Sequence, residues 1–175
     1  MSIETFVEWA ISLVSDYLYG GIFVAALLET IFPPIPSEVI FPLAGYIVSQ
    51  NQMQFVHVIG LGLAGAAGST VGALGIYFLA LKVGRIALVK YLRYVRVTES
   101  HLNRVDVWFT KHGEKVVFFG RMVPGIRELV SIPAGVLKMK ITKFLIFTYA
   151  GSCVWCISLS LAGYYFGVAS VQLFG

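Results

Sequence analysis

The chain has 175 residues, 58% of them hydrophobic and 13% charged, with a mean hydropathy of +0.82. Soluble domains carry about 25% charged residues, so this composition excludes an ordinary water-soluble globule and implies a surface facing hydrocarbon. All 13 Lys and Arg lie between Lys82 and Lys143, whereas residues 1–57 have none and carry Glu4, Glu8, Asp16, Glu29 and Glu38. A basic middle of this kind could serve nucleic acid, but in so apolar a chain the positive-inside rule accounts for it. That rule puts residues 82–115 and the Lys138, Lys140 and Lys143 cluster in the cytoplasm, with both termini outside. No nucleic-acid partner is expected.

In chain order, Met1 to Tyr19 comes first. It has no basic n-region, and Glu4, Glu8 and Asp16 interrupt any apolar h-region, so a cleavable signal peptide is not expected. Phe6, Trp9, Ala10, Leu13, Val14 and Tyr17 recur at spacings of three and four, which predicts a helix lying on the membrane surface. Residues 21–48 are apolar but hold Glu29 and Glu38 and are broken at Pro33, Pro34 and Pro36. Val58 to Leu81 follows, 24 residues without a charge. At about 1.5 Å per residue it reaches roughly 36 Å, enough to cross a bilayer core. Thr98 is a candidate N-cap for a second surface helix, with Leu102, Val105, Trp108 and Phe109 on one face and an end near Gly113. Residues 116–137 form another broken apolar segment, and Phe144 to Val171 reads as a second span.

The second broken segment contains FFGRMVPGIRELVSIPAG, residues 118–135, in which Arg121 and Arg127 stand six residues apart around Pro124 and Gly125. A guanidinium at the bilayer centre costs roughly 2.5–3.5 kcal/mol on insertion scales, so two of them imply a partner. Arginine presents a planar fork that matches phosphate oxygens. Pro124-Gly125 is expected to open a half-helix whose N–H groups also favour an anion, and Ser37, just after Pro36, is placed likewise. The alternative is that the arginines pair with Glu29, Glu38 or Glu128 and lock the segments together; the two readings are compatible. Glu29 lies in apolar ALLETIF, where burial favours its neutral form and a nearby arginine its charged form. Both it and Glu38 are candidates for proton coupling or ion pairing.

Backbone breaks survive in lipid only when buried in protein or facing a watery cavity, so each broken segment is expected to be a re-entrant hairpin. The chain also repeats itself. Ala67-Gly68-Ser69, Val71 and Gly84 recur as Ala150-Gly151-Ser152, Val154 and Gly167 at an offset of 83, and Ala44-Gly45 parallels Ala134-Gly135. A hairpin makes no net crossing and a span makes one, so the second copy would be inverted. Inverted repeats with discontinuous helices are a feature of secondary transporters. The expected fold is an all-α integral membrane protein, an inverted repeat of surface helix, re-entrant hairpin and transmembrane helix. It would form one membrane domain over residues 1–175, with repeat 1 at about 1–85, a basic cytoplasmic connector and surface helix at about 86–113, and repeat 2 at about 114–171.

PPIPSEVIFPLAGYI (33–47), AGSTVGALGIYFLALKVGR (67–85) and above all FFGRMVPGIRELVSIPAGVLKM (118–139) resemble the DedA family, also called SNARE-associated or VTT-domain proteins. The resemblance covers roughly residues 20–168. It implies re-entrant hairpins in inverted repeats and the movement of phospholipids or polyprenyl phosphates between leaflets of the cytoplasmic membrane. The subgroup with P-x-P-S-E and S-I-P-A-G looks like undecaprenyl-phosphate translocases, which recycle the carrier lipid of the cell wall. The resemblance carries the family's functional acids to Glu29 and Glu38 and its arginines to Arg121 and Arg127. Ser69 departs from a common Gly-Asp, Glu128 from a common small residue, and the further C-terminal hydrophobic segment of many relatives is not seen. A less specific phospholipid scramblase and a proton-coupled membrane-homeostasis transporter stay open, as does homo-oligomer formation.

Other features read as structural. Gly60, Ala64, Gly68 and Gly72 form a close-packing groove for a neighbouring helix. Cys153 and Cys156 are expected as buried thiols inside a span, and His57, His101 and His112 do not form a metal set. Neither S-G-H nor K-x-x-x-x-x-x-R-P occurs. No enzyme, cofactor or metal is expected.

Overall fold

The computed structural model describes residues 17–31, 37–92, 107, 109 and 111–174. Six helices are described: α1 (Tyr19–Ile31), α2 (Ser37–Gln50), α3 (Val56–Leu92), α4 (Lys115–Gly120), α5 (Ser131–Val136) and α6 (Ile141–Phe174). The protein is all-α, with no strand among the described residues. The expected surface helix at the N-terminus, Pro33, Pro34 and Pro36 lie outside those residues, as does most of the one proposed after Thr98. At the end of the latter, Gly113 has φ +58° and its N–H donates to Phe109 O at 2.8 Å. This is the left-handed turn that a glycine permits at a helix end.

The windows Val56–Lys82 and Ile141–Gly167 are each 27 residues long and apolar enough to span a membrane. At about 1.5 Å per residue each runs about 40 Å, longer than a core of about 30 Å. Side-chain placement departs from the soluble pattern in both directions. Val71, Phe78, Leu79, Ile146, Tyr165 and Phe166 are exposed, while Glu29, Thr30, Ser69, Arg121, Arg127, Ser131, Thr148 and Ser160 are buried.

The chain divides into two compact units, Met1–Ser69 with Cys153–Gly175, and Thr70–Ser152. Each takes one broken segment whole and part of each long helix. In unit 1, α1 and α2 form a helical hairpin on a core that includes Ile22, Ala26, Phe41, Val48, Leu61 and Cys156. Pro42 sits inside α2. Its missing N–H leaves the Glu38 carbonyl without the usual i+4 donor, which favours a bend there. The helices meet through glycines. A methyl group at Gly68 would run into the Phe23 carbonyl of α1, one at Gly45 into the Ser160 carbonyl of α6, and one at Gly163 into the Pro42 carbonyl of α2. Gly60 likewise lies under the Tyr19 ring. The neighbour for the small-residue groove of α3 is therefore α1. Lipid offers no hydrophobic drive to bring helices together, so backbone approach and dispersion must hold them, and glycine permits both.

Unit 2 has the same plan. Its hairpin is α4 and α5, and its core includes Ala73, Tyr77, Val117, Val130, Ala134 and Phe144. A Cβ at Gly151 of α6 would lie 2.7 Å from the Phe118 carbonyl of α4, and one at Gly135 of α5 would lie 2.5 Å from the Tyr77 carbonyl of α3. In both units, then, the first arm rests on a glycine of the helix that follows its own hairpin, and the second arm rests on the other long helix. Gly68 and Gly151 are 83 residues apart, and so are Ser160 and Tyr77. The spacing read from the sequence is thus also a spacing of packing contacts. Unit 2 is further tied by stacking of Tyr77 on Phe144, with ring centroids 4.7 Å apart, and by the Tyr77 hydroxyl donating to Met139 O at 2.5 Å.

Candidate functional site

The buried charges sit where each hairpin turns. In unit 2, regular helix stops at Gly120 and resumes at Ser131. The half-helix expected from Gly125 does not form; residues 121–130 are a string of turns. The reason is local. The N–H groups of Ile126 and Arg127 both bend back to Val123 O, at 3.2 and 3.1 Å, and those of Leu129 and Val130 to Ile126 O. Such internal bonding is what irregular backbone requires away from water. Gly125 takes φ +74°, open to a glycine, and a Cβ there would meet nothing within 4 Å. Pro124 and Gly125 are exposed at the tip.

Arg121 follows the last residue of α4, its N–H on Val117 O at 3.1 Å, and is 2% exposed. One Nη donates to Ser131 Oγ at 2.8 Å, from the end of the first arm to the first residue of the second. Arg127 is 5% exposed, and its Nε lies 2.6 Å from Glu128 Oε1. Two guanidinium groups thus lie inside one small hairpin, one on a hydroxyl and one on a carboxylate. Ser131 was not picked out from the sequence, although it opens the S-I-P-A-G stretch ten residues after Arg121.

Unit 1 latches its hairpin in the opposite sense. Glu29, 2% exposed and in the last turn of α1, accepts a hydrogen bond from the Ser37 N–H at 3.0 Å through Oε1. The carboxylate therefore sits at the positive end of α2, on one of the N–H groups that a helix start leaves unpaired. Ser37 Oγ is buried and has no hydrogen-bond partner among the described residues. Next to Glu29, Thr30 Oγ1 donates to Ala26 O at 2.9 Å and to Ser69 Oγ at 3.2 Å, bonding α1 to α3 beside the Gly68 crossing. Glu38 is exposed on the first turn of α2. Each hairpin closes on an ionisable side chain reaching from the end of its first arm to the first residue of its second.

The VTT domain family model matches residues 35–165. The chain belongs to the VTT-domain family. Among curated relatives, this VTT-domain protein is 36% identical over 165 residues to the "Alkaline phosphatase-like protein" of Lactococcus lactis strain IL1403, a match covering 89% of the chain and 74% of the relative. It is 33% identical over 163 residues to "Undecaprenyl phosphate transporter A" of Bacillus subtilis, covering 89% and 79%. The protein of that name in Staphylococcus aureus is 29% identical over 154 residues, covering 86% and 74%. No solved structure matches the chain. The family, the two long apolar helices and the charged side chains buried beside the apolar cores together make this an all-α membrane protein of the DedA type.

Of the residues singled out in the sequence, Arg121 and Arg127 share the unit 2 hairpin with Pro124 and Gly125, and Glu29, Ser37 and Glu38 share that of unit 1. Cys156 is buried and Cys153 half-buried, and no disulfide joins them. Among the described residues, no three His, Cys, Asp or Glu side chains gather as metal ligands would.

Proposed function

We propose that this VTT-domain protein moves a lipid phosphate, in the first instance undecaprenyl phosphate, between leaflets of the cytoplasmic membrane, recycling the carrier lipid. The observation that carries the reading is the pair of buried guanidinium groups, Arg121 and Arg127, in a hairpin whose backbone leaves helical form around them. Each donates to an acceptor that a phosphate oxygen can replace, Ser131 Oγ in one case and Glu128 Oε1 in the other. A charge-assisted hydrogen bond contributes about 1.5–3 kcal/mol, comparable with the cost of holding an arginine at membrane depth. The names of the Bacillus and Staphylococcus relatives support the choice of lipid. Gly125 and Ser37 are assigned to the passage of the phosphate, Gly125 as the unobstructed tip and Ser37 as a buried hydroxyl at a helix start. The prolines 33, 34, 36 and 124 are assigned to the helix breaks.

Glu29 is assigned to proton coupling. Its carboxylate accepts the Ser37 N–H, and protonation would weaken that hydrogen bond and the latch it makes. The positive-inside rule assigns residues 82–115 to the cytoplasm. In proteoliposomes, the wild type should move undecaprenyl phosphate across the bilayer faster than phosphatidylethanolamine and release no inorganic phosphate. Equal rates for the two lipids would favour a broader phospholipid scramblase. Phosphate release without transport would favour the hydrolytic reading attached to the name of the Lactococcus relative.

A further inference from the structure

The second arms of the two hairpins end in the same turn. At the end of α2, Gln52 N donates to Ser49 O and Met53 N to Val48 O, both at 3.1 Å, and Gln52 has φ +52°. At the end of α5, Lys138 N donates to Gly135 O and Met139 N to Ala134 O, both at 3.0 Å, and Lys138 has φ +53°. These nested bonds around a left-handed residue close a helix, and the left-handed position favours glycine. Neither unit uses glycine there. In both turns the next residue is a methionine packed inward, buried at Met139 and half-buried at Met53. The Met139 carbonyl also takes the Tyr77 hydroxyl, so this turn is held firmly.

The two turns differ in charge. Around Gln52 the exposed neighbours are Gln50, Asn51 and Gln54. Around Lys138 they are Lys140 and Lys143, beside exposed Leu137 and Ile141. Gln52 demonstrates that the turn needs no charge, and its conformation gives lysine no advantage over glycine. Closure of the helix therefore does not account for Lys138.

We propose that the Lys138–Lys140 turn binds the acidic headgroups of the membrane leaflet around it. Buried Met139 anchors the turn between the two exposed lysines, while exposed Leu137 and Ile141 suit the acyl-chain boundary. Lys143 contributes less because its Nζ lies 2.6 Å from Glu114 Oε1. An acidic surface attracts a lysine by about fivefold in association, within a Debye length of about 10 Å at 0.1 M salt. The inference does not depend on which lipid phosphate the protein moves.

The test is the thermal midpoint of the purified full chain in nanodiscs of phosphatidylcholine, alone or mixed with phosphatidylglycerol, since a ligand that binds the folded state raises its stability. Phosphatidylglycerol should raise the wild-type midpoint by several degrees, and high salt should erase the gain. Lys138→Gln combined with Lys140→Gln, which gives unit 2 the uncharged turn of unit 1, should lose most of the gain and keep its midpoint in pure phosphatidylcholine. Lys138→Gly separates charge from folding: relief of the left-handed lysine should raise the midpoint in phosphatidylcholine while the response to phosphatidylglycerol falls. If the double glutamine variant keeps the full response, or phosphatidylglycerol gives no gain over phosphatidylcholine, the proposal is overturned.

Discussion

The two hairpins are alike in backbone and opposite in charge. Unit 1 and unit 2 place glycines at matching crossings, Gly68 with Gly151 and Gly45 with Gly135, and end their second arms in the same left-handed turn. At the tips, unit 1 holds a carboxylate, Glu29 on the Ser37 N–H, where unit 2 holds a guanidinium, Arg121 on Ser131 Oγ. Backbone approach sets the architecture, and small residues satisfy it in both halves. The latch needs only a donor and an acceptor, so its polarity is free to differ. One packing plan can thus carry two chemically distinct hairpin ends without changing how its helices pack.

The largest effect should come from breaking the shared frame. Gly45→Ala puts a methyl group into the Ser160 carbonyl, and Gly135→Ala puts one 2.5 Å from the Tyr77 carbonyl. Backbone cannot yield as a side chain does, so each should destabilise the protein by about 3 kcal/mol, seen as a drop in thermal midpoint in detergent. Loss at one position and tolerance at the other would mean that the two crossings are not equivalent.

Arg121→Lys and Arg127→Lys test the chemistry of the unit 2 tip. Charge is kept and the fork is lost, so transport of undecaprenyl phosphate should fall about tenfold to a hundredfold while the protein still inserts and folds. Normal transport in both would leave a general need for positive charge and remove the clamp. In unit 1, Glu29→Gln keeps an oxygen for the Ser37 N–H but loses the charge at the helix start. Stability should fall by about 1 kcal/mol, and the dependence of transport on pH should flatten. A pH profile like that of the wild type would leave Glu29 a latch only.

Gln52→Cys and Lys138→Cys, each in a background lacking Cys153 and Cys156, compare the same turn in the two units. If the repeat is inverted, a membrane-impermeant maleimide should label them from opposite sides, and labelling from one side would end the inverted-repeat reading. The smallest effect belongs to the exposed pair of Lys143 and Glu114. Lys143→Gln should change stability by about 0.5 kcal/mol or less, and less still at high salt, as denaturant titration would measure.

Much of the frame was readable because membranes make harsh demands. Charge-free runs such as Val58 to Leu81 must be helical and long, whereas a proline does not by itself end a helix, as Pro42 inside α2 and Pro133 inside α5 show. The offset between Gly68 and Gly151 was visible as a repeat before its meaning as a crossing was known. The turn at the unit 2 tip was less readable. Pro124-Gly125 looked like the start of a helix, but Val123 O captures the N–H groups of both Ile126 and Arg127, and helix waits until Ser131. That choice is made by a few local hydrogen bonds of nearly equal worth. The latches were hidden for a related reason: composition ranks Glu29 and Arg121 as needing partners, while Ser37 and Ser131 become those partners only once each hairpin closes.

The division of the chain also sets an order of assembly. Unit 2 is one continuous stretch, Thr70–Ser152, so all of its parts have been synthesised before the ribosome reaches Cys153. Unit 1 starts first and finishes last, because its hairpin rests at Gly45 on Ser160 of α6. At about 5–20 residues per second, Gly45 is made roughly 5–25 s before its packing partner. During that interval the first hairpin has α3 beside it but not α6, so the Gly45 face of its second arm waits for Ser160. A chain cut after Ser152 would keep every residue of unit 2 and lose Ser160, on which Gly45 of unit 1 rests.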